Sequence, residues 1–391
     1  MSSIVNRQSH SQAALKKLLE EQLRQLLGRI PWLSGVQVEA NPVAFDRAFD
    51  LMAHFQVPRG PRIELWVECK LDPRPSQFPY VALAREFEAR AVKRVRVPVF
   101  AAPYMSPRMA EICESHGWNW FDLAGNCRIT VPDLFHLEQG GKPSVWQRPR
   151  PVANLGTPEA GRVVRALLLP EHGGMRWTQR EMAGHFGELP ERNPGQPALP
   201  EPSLGLVNKV VRYLREEAFI EELPDGGFRL RDPLKLLFAW RDAYRLDRHE
   251  RRGYFTLSQG KKLQEALARL GLQTGGFAVY AAFSAADFQA PHVRQAKTWL
   301  YVREAEVAKF ERVVEAKPVE SGESLVVLIP DDDGVFYLSD GGEMGEHRMA
   351  CTNAVQTYVD LWHCGGRGHE AAEALMEQRL KPEWKRRGLK V

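Results

Sequence analysis

Apolar and polar positions change period several times along the chain, and each change predicts an element. The opening stretch, SQAALKKLLEEQLRQLL, is amphipathic and charged and predicts a helix over about residues 10–28. Alternation then predicts strands at VQVEA (36–40), around 48–56 and at IELWVECKL (63–71). A helix over 76–93, a strand at VRVPVFAAP (95–103) and a helix over 106–116 follow. WNWFDLAGNCRITV (118–131) reads as a hairpin turned at Gly125-Asn126. Helices alternating with strands in this order predict an α/β sheet with helices on both faces. In IELWVECKL, period two places Glu64, Trp66, Glu68 and Lys70 on one face and Leu65, Val67, Cys69 and Leu71 on the other. The second face is core. The first carries a carboxylate and an ammonium beside a tryptophan, as a solvated face routinely does.

The middle of the chain has a helical period. Thr157-Pro158-Glu159 starts a helix through AGRVVRALLL, and Thr178 with Glu181 forms a capping box opening a helix over 177–186. SLGLVNKVVRYLREEAFI (203–220) is a longer helix with Ser203 as its cap, and EELPDGGFRL closes as a hairpin turned at Asp225-Gly226-Gly227. Helix, helix, longer helix and hairpin predict a winged helix-turn-helix over 155–253. AWRDAYRLDRHERRG (239–253) reads as one more helix, with Arg241, Arg245, Arg248, Arg251 and Arg252 as candidate phosphate contacts. Beyond it, FAVYAAF, TWLYV, SLVVLIP and GVFYL predict strands, and NAVQTYVDLW and GHEAAEALMEQRL predict helices, an α+β segment over 256–391. DDDG (331–334) reads as an acidic turn rather than a metal site. Gln356, Tyr358 and Asp360 are two apart, so they are expected to spread around their helix without forming a catalytic face.

Two Pro/Gly-rich stretches punctuate these patterns. Residues 140–161 make a linker, separating a first domain over 1–145 from the rest. Residues 187–202 hold five prolines and are expected to be a loop, neither helix nor central strand, replacing the tight turn between the second and third helices. At 391 residues two or three domains are expected, and a softer boundary falls near 251–256. Hydrophobic content of 44% with 26% charged residues excludes a disordered chain. A formal net charge of +4 permits a nucleic-acid partner without demanding one. Five separated cysteines without a CxxC give neither a disulfide framework nor a zinc site, and fit a reducing cytoplasm. No stretch approaches the length of a membrane span.

The strand over 63–71 bears the most specific chemistry. Asp50 precedes Glu68 with seventeen residues between them, across a turn at Pro58-Arg59-Gly60-Pro61, so a hairpin brings Asp50 near Glu68 and Lys70. Asp-x17-Glu-x-Lys on adjacent strands, between two helices, resembles the PD-(D/E)XK restriction-endonuclease-like fold, although Phe49 replaces the proline of its PD dipeptide. The resemblance implies Asp50 and Glu68 as Mg²⁺ ligands, the Cys69 carbonyl as a third, and Lys70 as catalytic lysine. Gln77 and Glu21 are weaker candidates. Two carboxylates would hold a metal that polarises a phosphate and activates water, with the lysine offsetting transition-state charge. The alternative is a surface ion pair between Glu68 and Lys70, worth less than ~1 kcal/mol.

WFDLAGN (120–126) and NAVQTYVDLWHCGGRGHEAAEALMEQRL resemble bacterial regulators of the AbiEi antitoxin group. Asp122 is expected to hydrogen-bond the turn backbone. The expected fold is thus multidomain α/β, with a nuclease-like first domain, a central winged helix and an α+β C-terminal domain. The candidate DNA-binding residues are Gln179, Arg180, Ser203, Asn208, Lys209, Arg212, Tyr213 and Arg229, with Arg231 a further wing cation. Asn and Arg suit adenine and guanine edges, and Gln179 and Arg180 suit phosphates. The favoured reading is a non-enzymatic regulator or antitoxin-like protein that binds double-stranded DNA, with a toxin or a second copy of the chain as candidate partners. The alternative is a Mg²⁺-dependent DNA endonuclease or defence effector centred on Asp50, Glu68 and Lys70. A third reading is an assembly protein working through its C-terminal domain.

Overall fold

A computed structural model describes residues 12–44, 47–71, 73, 75, 94–145, 153–224, 226–339 and 349–391. The expected helix over 76–93, with Gln77, lies outside the described residues, as does Asp225 of the expected turn. The fold is mixed α/β and divides into two compact units, residues 1–150 and 151–391.

The first unit is built on a seven-stranded sheet whose spatial order follows the chain. Helix α1 (Gln12–Gly28) leads into β1 (Ser34–Ala40), β2 (Leu51–Gln56) and β3 (Arg62–Cys69). Then come β4 (Arg94–Ala102), α2 (Pro107–Ser115), β5 (Asn119–Asp122), β6 (Cys127–Val131) and β7 (Phe135–Gln139). Strands β1 to β3 form an antiparallel meander, β3, β4 and β5 run parallel, and β5 to β7 are antiparallel again. Leu15, Leu19, Leu23 and Leu26 line one face of α1 and pack on Leu51, Leu65, Val67 and Val99. On the opposite sheet face Trp66 and Phe100 meet Met105, Met109 and Ile112 around α2. Strand β3 is therefore covered on both faces, and Glu64, Trp66 and Glu68 are buried rather than solvated as alternation alone allowed. Glu64 is satisfied there by Arg96 at 3.2 Å.

In the second unit α3 (Pro158–Leu168) and α4 (Gln179–Gly184) precede a single helical turn, α5 (Leu189–Arg192), and the longer α6 (Leu204–Glu216). A hairpin of β8 (Ile220–Glu222) and β9 (Phe228–Leu230) follows. Trp177 extends it by exchanging both backbone hydrogen bonds with Phe228 at 2.8 Å. The proline-rich stretch does contain helix, contrary to expectation: Pro190 sits in the first turn of α5, where its missing N–H costs nothing. The rest of that stretch docks on the C-terminal part of the unit, where Gln196 donates to the Ser339 carbonyl and accepts its N–H.

The helix expected over 239–253 is shorter. α7 (Pro233–Ala243) ends at Tyr244, and Glu250–Phe255 forms β10 beside β14 (Leu325–Ile329). The five apolar residues of β14 bury completely only between two neighbours, a tertiary demand that overrides local helical character. Between them lie α8 (Gly260–Gln273), β11 (Ala278–Tyr280), α9 (Ala282–Gln289), β12 (Thr298–Val302), α10 (Val307–Val314) and β13 (Lys317–Pro318). The sheet order is β11-β12-β14-β10-β13. FAVYAAF is strand only to Tyr280, because α9 starts at Ala282, and GVFYL is a 3₁₀ turn over Asp333–Phe336 rather than a strand. Helices α11 (Ala354–His363), α12 (Gly368–Leu375) and α13 (Lys381–Arg386) complete the unit.

Candidate functional site

The charged residues singled out in the sequence lie in two clusters, one in each unit. In the first, the turn between β2 and β3 does bring Asp50 to the end of β3. The Asp50 N–H bonds the Val67 carbonyl at 3.1 Å, and its carboxylate Oδ2 accepts the Cys69 N–H at 2.6 Å. The carboxylate thus takes the place of a backbone partner where the two strands diverge. Its other oxygen, Oδ1, holds the Lys16 ammonium of α1 at 2.5 Å. Lys70 pairs with Glu68 at 3.0 Å. The Lys16 ammonium is held above its ordinary pKa, chiefly by its hydrogen bond to Asp50, with the charge of Glu68 adding to the field. Glu21 lies on the exposed side of α1, away from the leucine face. Burial pushes the Cys69 thiol up.

This donor set does not fit a Mg²⁺ ion as arranged. Such an ion demands several oxygens in near-octahedral geometry, whereas both oxygens of Asp50 are already engaged, one by a cation. A metal on Oδ1 would lie against the Lys16 ammonium, a repulsive neighbour. Among the described residues no group of three or more His, Cys, Asp and Glu side chains is placed to hold a metal ion.

Nearby, Asp122 closes the β5–β6 turn as expected. Its oxygens accept the Asn126 N–H and side-chain amide at 2.9 Å, and the Met105 N–H at 3.2 Å. Gly125 adopts φ +86°, a conformation that a side chain would strain.

The second cluster lies on α4 and α6. Thr178 and Glu181 cap α4 reciprocally, and the Ser203 hydroxyl accepts the Leu206 N–H to cap α6. Val207, Val210, Val211 and Leu214 bury one face of α6. The other face therefore presents Leu204, Asn208, Lys209 and Arg212 to solvent. Tyr213 is half-buried against Phe219 and does not belong to that face. Asn208 donates to Gln179 Oε1 at 3.1 Å, joining α6 to the start of α4.

Charge pairing separates these cations from their neighbours. Arg180, Lys209 and Arg212 are exposed, and none makes an ion pair among the described residues. Around them, Arg176 meets Glu181, Arg215 meets Glu222 at 2.7 Å, and Arg229 is bonded to Glu221. Arg231 is exposed and likewise makes no ion pair among the described residues. The arginines expected to face phosphates over 239–253 are engaged as well. Arg241 lies over the Trp362 ring at 4.0 Å, and Arg245 pairs with Asp247. Arg248 donates to the Gly156 carbonyl, Arg251 pairs with Glu323, and Arg252 bridges Glu250 and Glu304.

Behind this face lies a buried network that the sequence did not reveal. Asp332 of the DDDG turn is buried and takes both a 3.2 Å bond from Arg162 Nε and an ion pair from its Nη2, fixing α3 to the C-terminal part. Arg165 donates to Gln356 at 2.5 Å. Gln356 in turn donates to Asp360 at 2.7 Å, and Tyr244 and Tyr301 donate to the same Asp360 oxygen at 2.7 and 3.0 Å. Gln356 and Asp360 do share a helix face, being four apart; the spacing of two hid this. Burial lifts the Asp360 carboxyl to about 7 against these donors. His185, buried beside the Tyr337 hydroxyl at 2.6 Å, is pushed down to about 4 by desolvation.

Residues 229–381 match a family described as "Transcriptional regulator, AbiEi antitoxin, Type IV TA system". The match begins at β9 and runs through α12, so the C-terminal part of the second unit is similar to AbiEi-type regulators. No curated protein and no solved structure matches the chain. No helix among the described residues is long and apolar enough to cross a membrane.

Proposed function

We propose that the protein is a DNA-binding transcriptional regulator of the antitoxin type. In this reading α3, α4, α6 and the β8–β9 hairpin act as a winged helix-turn-helix that places α6 in the major groove of double-stranded DNA. The carrying observation is the set Arg180, Lys209 and Arg212, exposed and without an ion pair among the described residues, amid arginines that nearly all have acidic or carbonyl partners. Leaving three cations unneutralised stabilises no fold, but it supplies the counter-charge a phosphate backbone takes up with release of its own ions. The family similarity of residues 229–381 to transcriptional regulators supports the same reading. Arg229, held by Glu221, contributes little to it. A toxin or a second copy of the chain are the protein partners this reading allows.

The first unit serves here as a non-cleaving scaffold that adds DNA affinity or a partner surface. Convergence of Asp50, Glu68 and Lys70 favours the nuclease alternative, while engagement of both Asp50 oxygens by Lys16 and Cys69 opposes it. Supercoiled plasmid incubated with the protein and Mg²⁺ or Mn²⁺ separates the two. The regulator reading expects intact plasmid retarded on a gel. Metal-dependent nicking that disappears in Glu68→Ala would establish the nuclease instead.

A further inference from the structure

Asn208 is the base-reading candidate on α6 whose side chain is tied to another element. Its Nδ2 donates to Gln179 Oε1 at 3.1 Å, across the junction between α4 and α6. Gln179 is itself a fixed anchor. It is the first residue of α4, directly after the N-cap Thr178, whose hydroxyl accepts the Glu181 N–H while Glu181 bonds back to the Thr178 N–H at 2.7 Å. Asn208 stands just over one turn into α6, whose start is fixed by the Ser203 cap. Both backbones are therefore held, and the remaining freedom is rotation of the two side-chain amides.

An exposed asparagine amide ordinarily turns freely and presents its donor and acceptor edges in either order. The bond to Gln179 favours one of the two orders. It uses one of the two Nδ2 hydrogens, turns the nitrogen towards α4 and leaves one N–H together with Oδ1 for the duplex. A donor and an acceptor side by side match one base edge in the major groove, adenine, which offers the N7 acceptor next to the N6 donor. Guanine offers two acceptors and would leave Oδ1 facing another oxygen.

Resting on the DNA-reading role proposed above, we propose that Gln179 is a positioning residue that fixes the Asn208 amide for a single adenine of the bound duplex, and so sets specificity at that base pair. Gln179 is thereby distinct from Arg180, Lys209 and Arg212, whose charges act on phosphates or on guanine without such help.

The test is selection of binding sites from a randomised duplex library with the full-length protein, followed by titration of the selected duplex and its single-base variants. Four proteins are compared: wild type, Asn208→Ala, Gln179→Ala and Gln179→Glu. Wild type is expected to prefer adenine at one position by roughly ten- to a hundredfold. Asn208→Ala erases that preference. Gln179→Ala reduces it to a few-fold and leaves the salt dependence unchanged. Gln179→Glu keeps an acceptor for Asn208, so the preference persists while its added negative charge weakens every sequence alike. The proposal is overturned if Gln179→Ala selects and discriminates as wild type does, or if the adenine preference survives Asn208→Ala. An unenriched library with binding that still falls with salt also overturns it and leaves the DNA-binding role standing. Loss of all DNA binding in wild type removes that role as well.

Discussion

The carboxylate cluster at the end of β3 and the exposed face of α6 look equally charged in the sequence, yet they are organised in opposite ways. Both carboxylates of the first cluster have a cation within their own unit: Lys16 holds Asp50, and Lys70 holds Glu68. On α4 and α6, Arg180, Lys209 and Arg212 face solvent without an ion pair among the described residues. The first arrangement fastens α1 to its sheet. The second leaves charge available for something outside the molecule. Residue type alone does not separate a structural charge from a functional one; the state of its partner does.

The comparison is sharpened first at Asp360, a fully buried carboxyl with three donors on one oxygen, where the expected effect is largest. Its carboxyl is raised to about 7 in the fold, well above an unfolded value near ~3.9. A raised acid keeps its proton in the fold where the unfolded chain releases it. The associated stability is therefore full below about pH 4 and is lost as pH rises through 7. Asp360→Asn keeps the shape and removes the titration. Relative to that variant, wild type should lose stability in urea between pH 4 and pH 8 by a few kcal/mol, on the order of 1.4 per pH unit. A difference that stays constant with pH would contradict this.

Lys16→Met comes next. Removing the counter-charge of a part-buried carboxylate should destabilise the first unit by about 1–2 kcal/mol, with DNA affinity unchanged. The raised pKa of Lys16 keeps this clip charged throughout the neutral range, so the loss should not vary with pH between about 6 and 9. Equal stability with and without Lys16, or a Mn²⁺-dependent rise in the melting temperature of wild type, would break the account of that cluster. The smallest effect is expected at Arg229. Its bond to Glu221 makes Arg229→Ala cost less than about 0.5 kcal/mol in DNA binding by fluorescence anisotropy. A weakening comparable to that of Arg212→Ala would place the hairpin on the DNA.

Much of this was legible from local signals. The helix caps at Thr157, Thr178 and Ser203 and the Asp122 turn are where short-range rules put them, because each depends on residues three or four apart. The burial of Glu64 and Glu68 was not legible, since it depends on β4 and α2 covering a face that alternation marks as polar. Nor was the conversion of 250–255 into a strand, which is set by the needs of a partner strand some seventy residues away. Among the candidate site residues, the buried face of α6 gave away Asn208, Lys209 and Arg212. The partners that engage Asp50 and Arg229 come from elsewhere in the fold: Lys16 from helix α1 packed on the sheet, which no local spacing names, and Glu221 from the paired strand of the hairpin.

The most direct measurement is the affinity of wild type and of the triple variant Arg180→Ala, Lys209→Ala, Arg212→Ala for one fluorescent duplex across a salt series. If these cations meet phosphates, affinity falls with salt in wild type, and the slope of log affinity against log salt shrinks in the variant by about 0.9 for each phosphate that is no longer neutralised. A wild-type slope that the triple variant reproduces would contradict the account, because the three cations would then have no part in holding DNA.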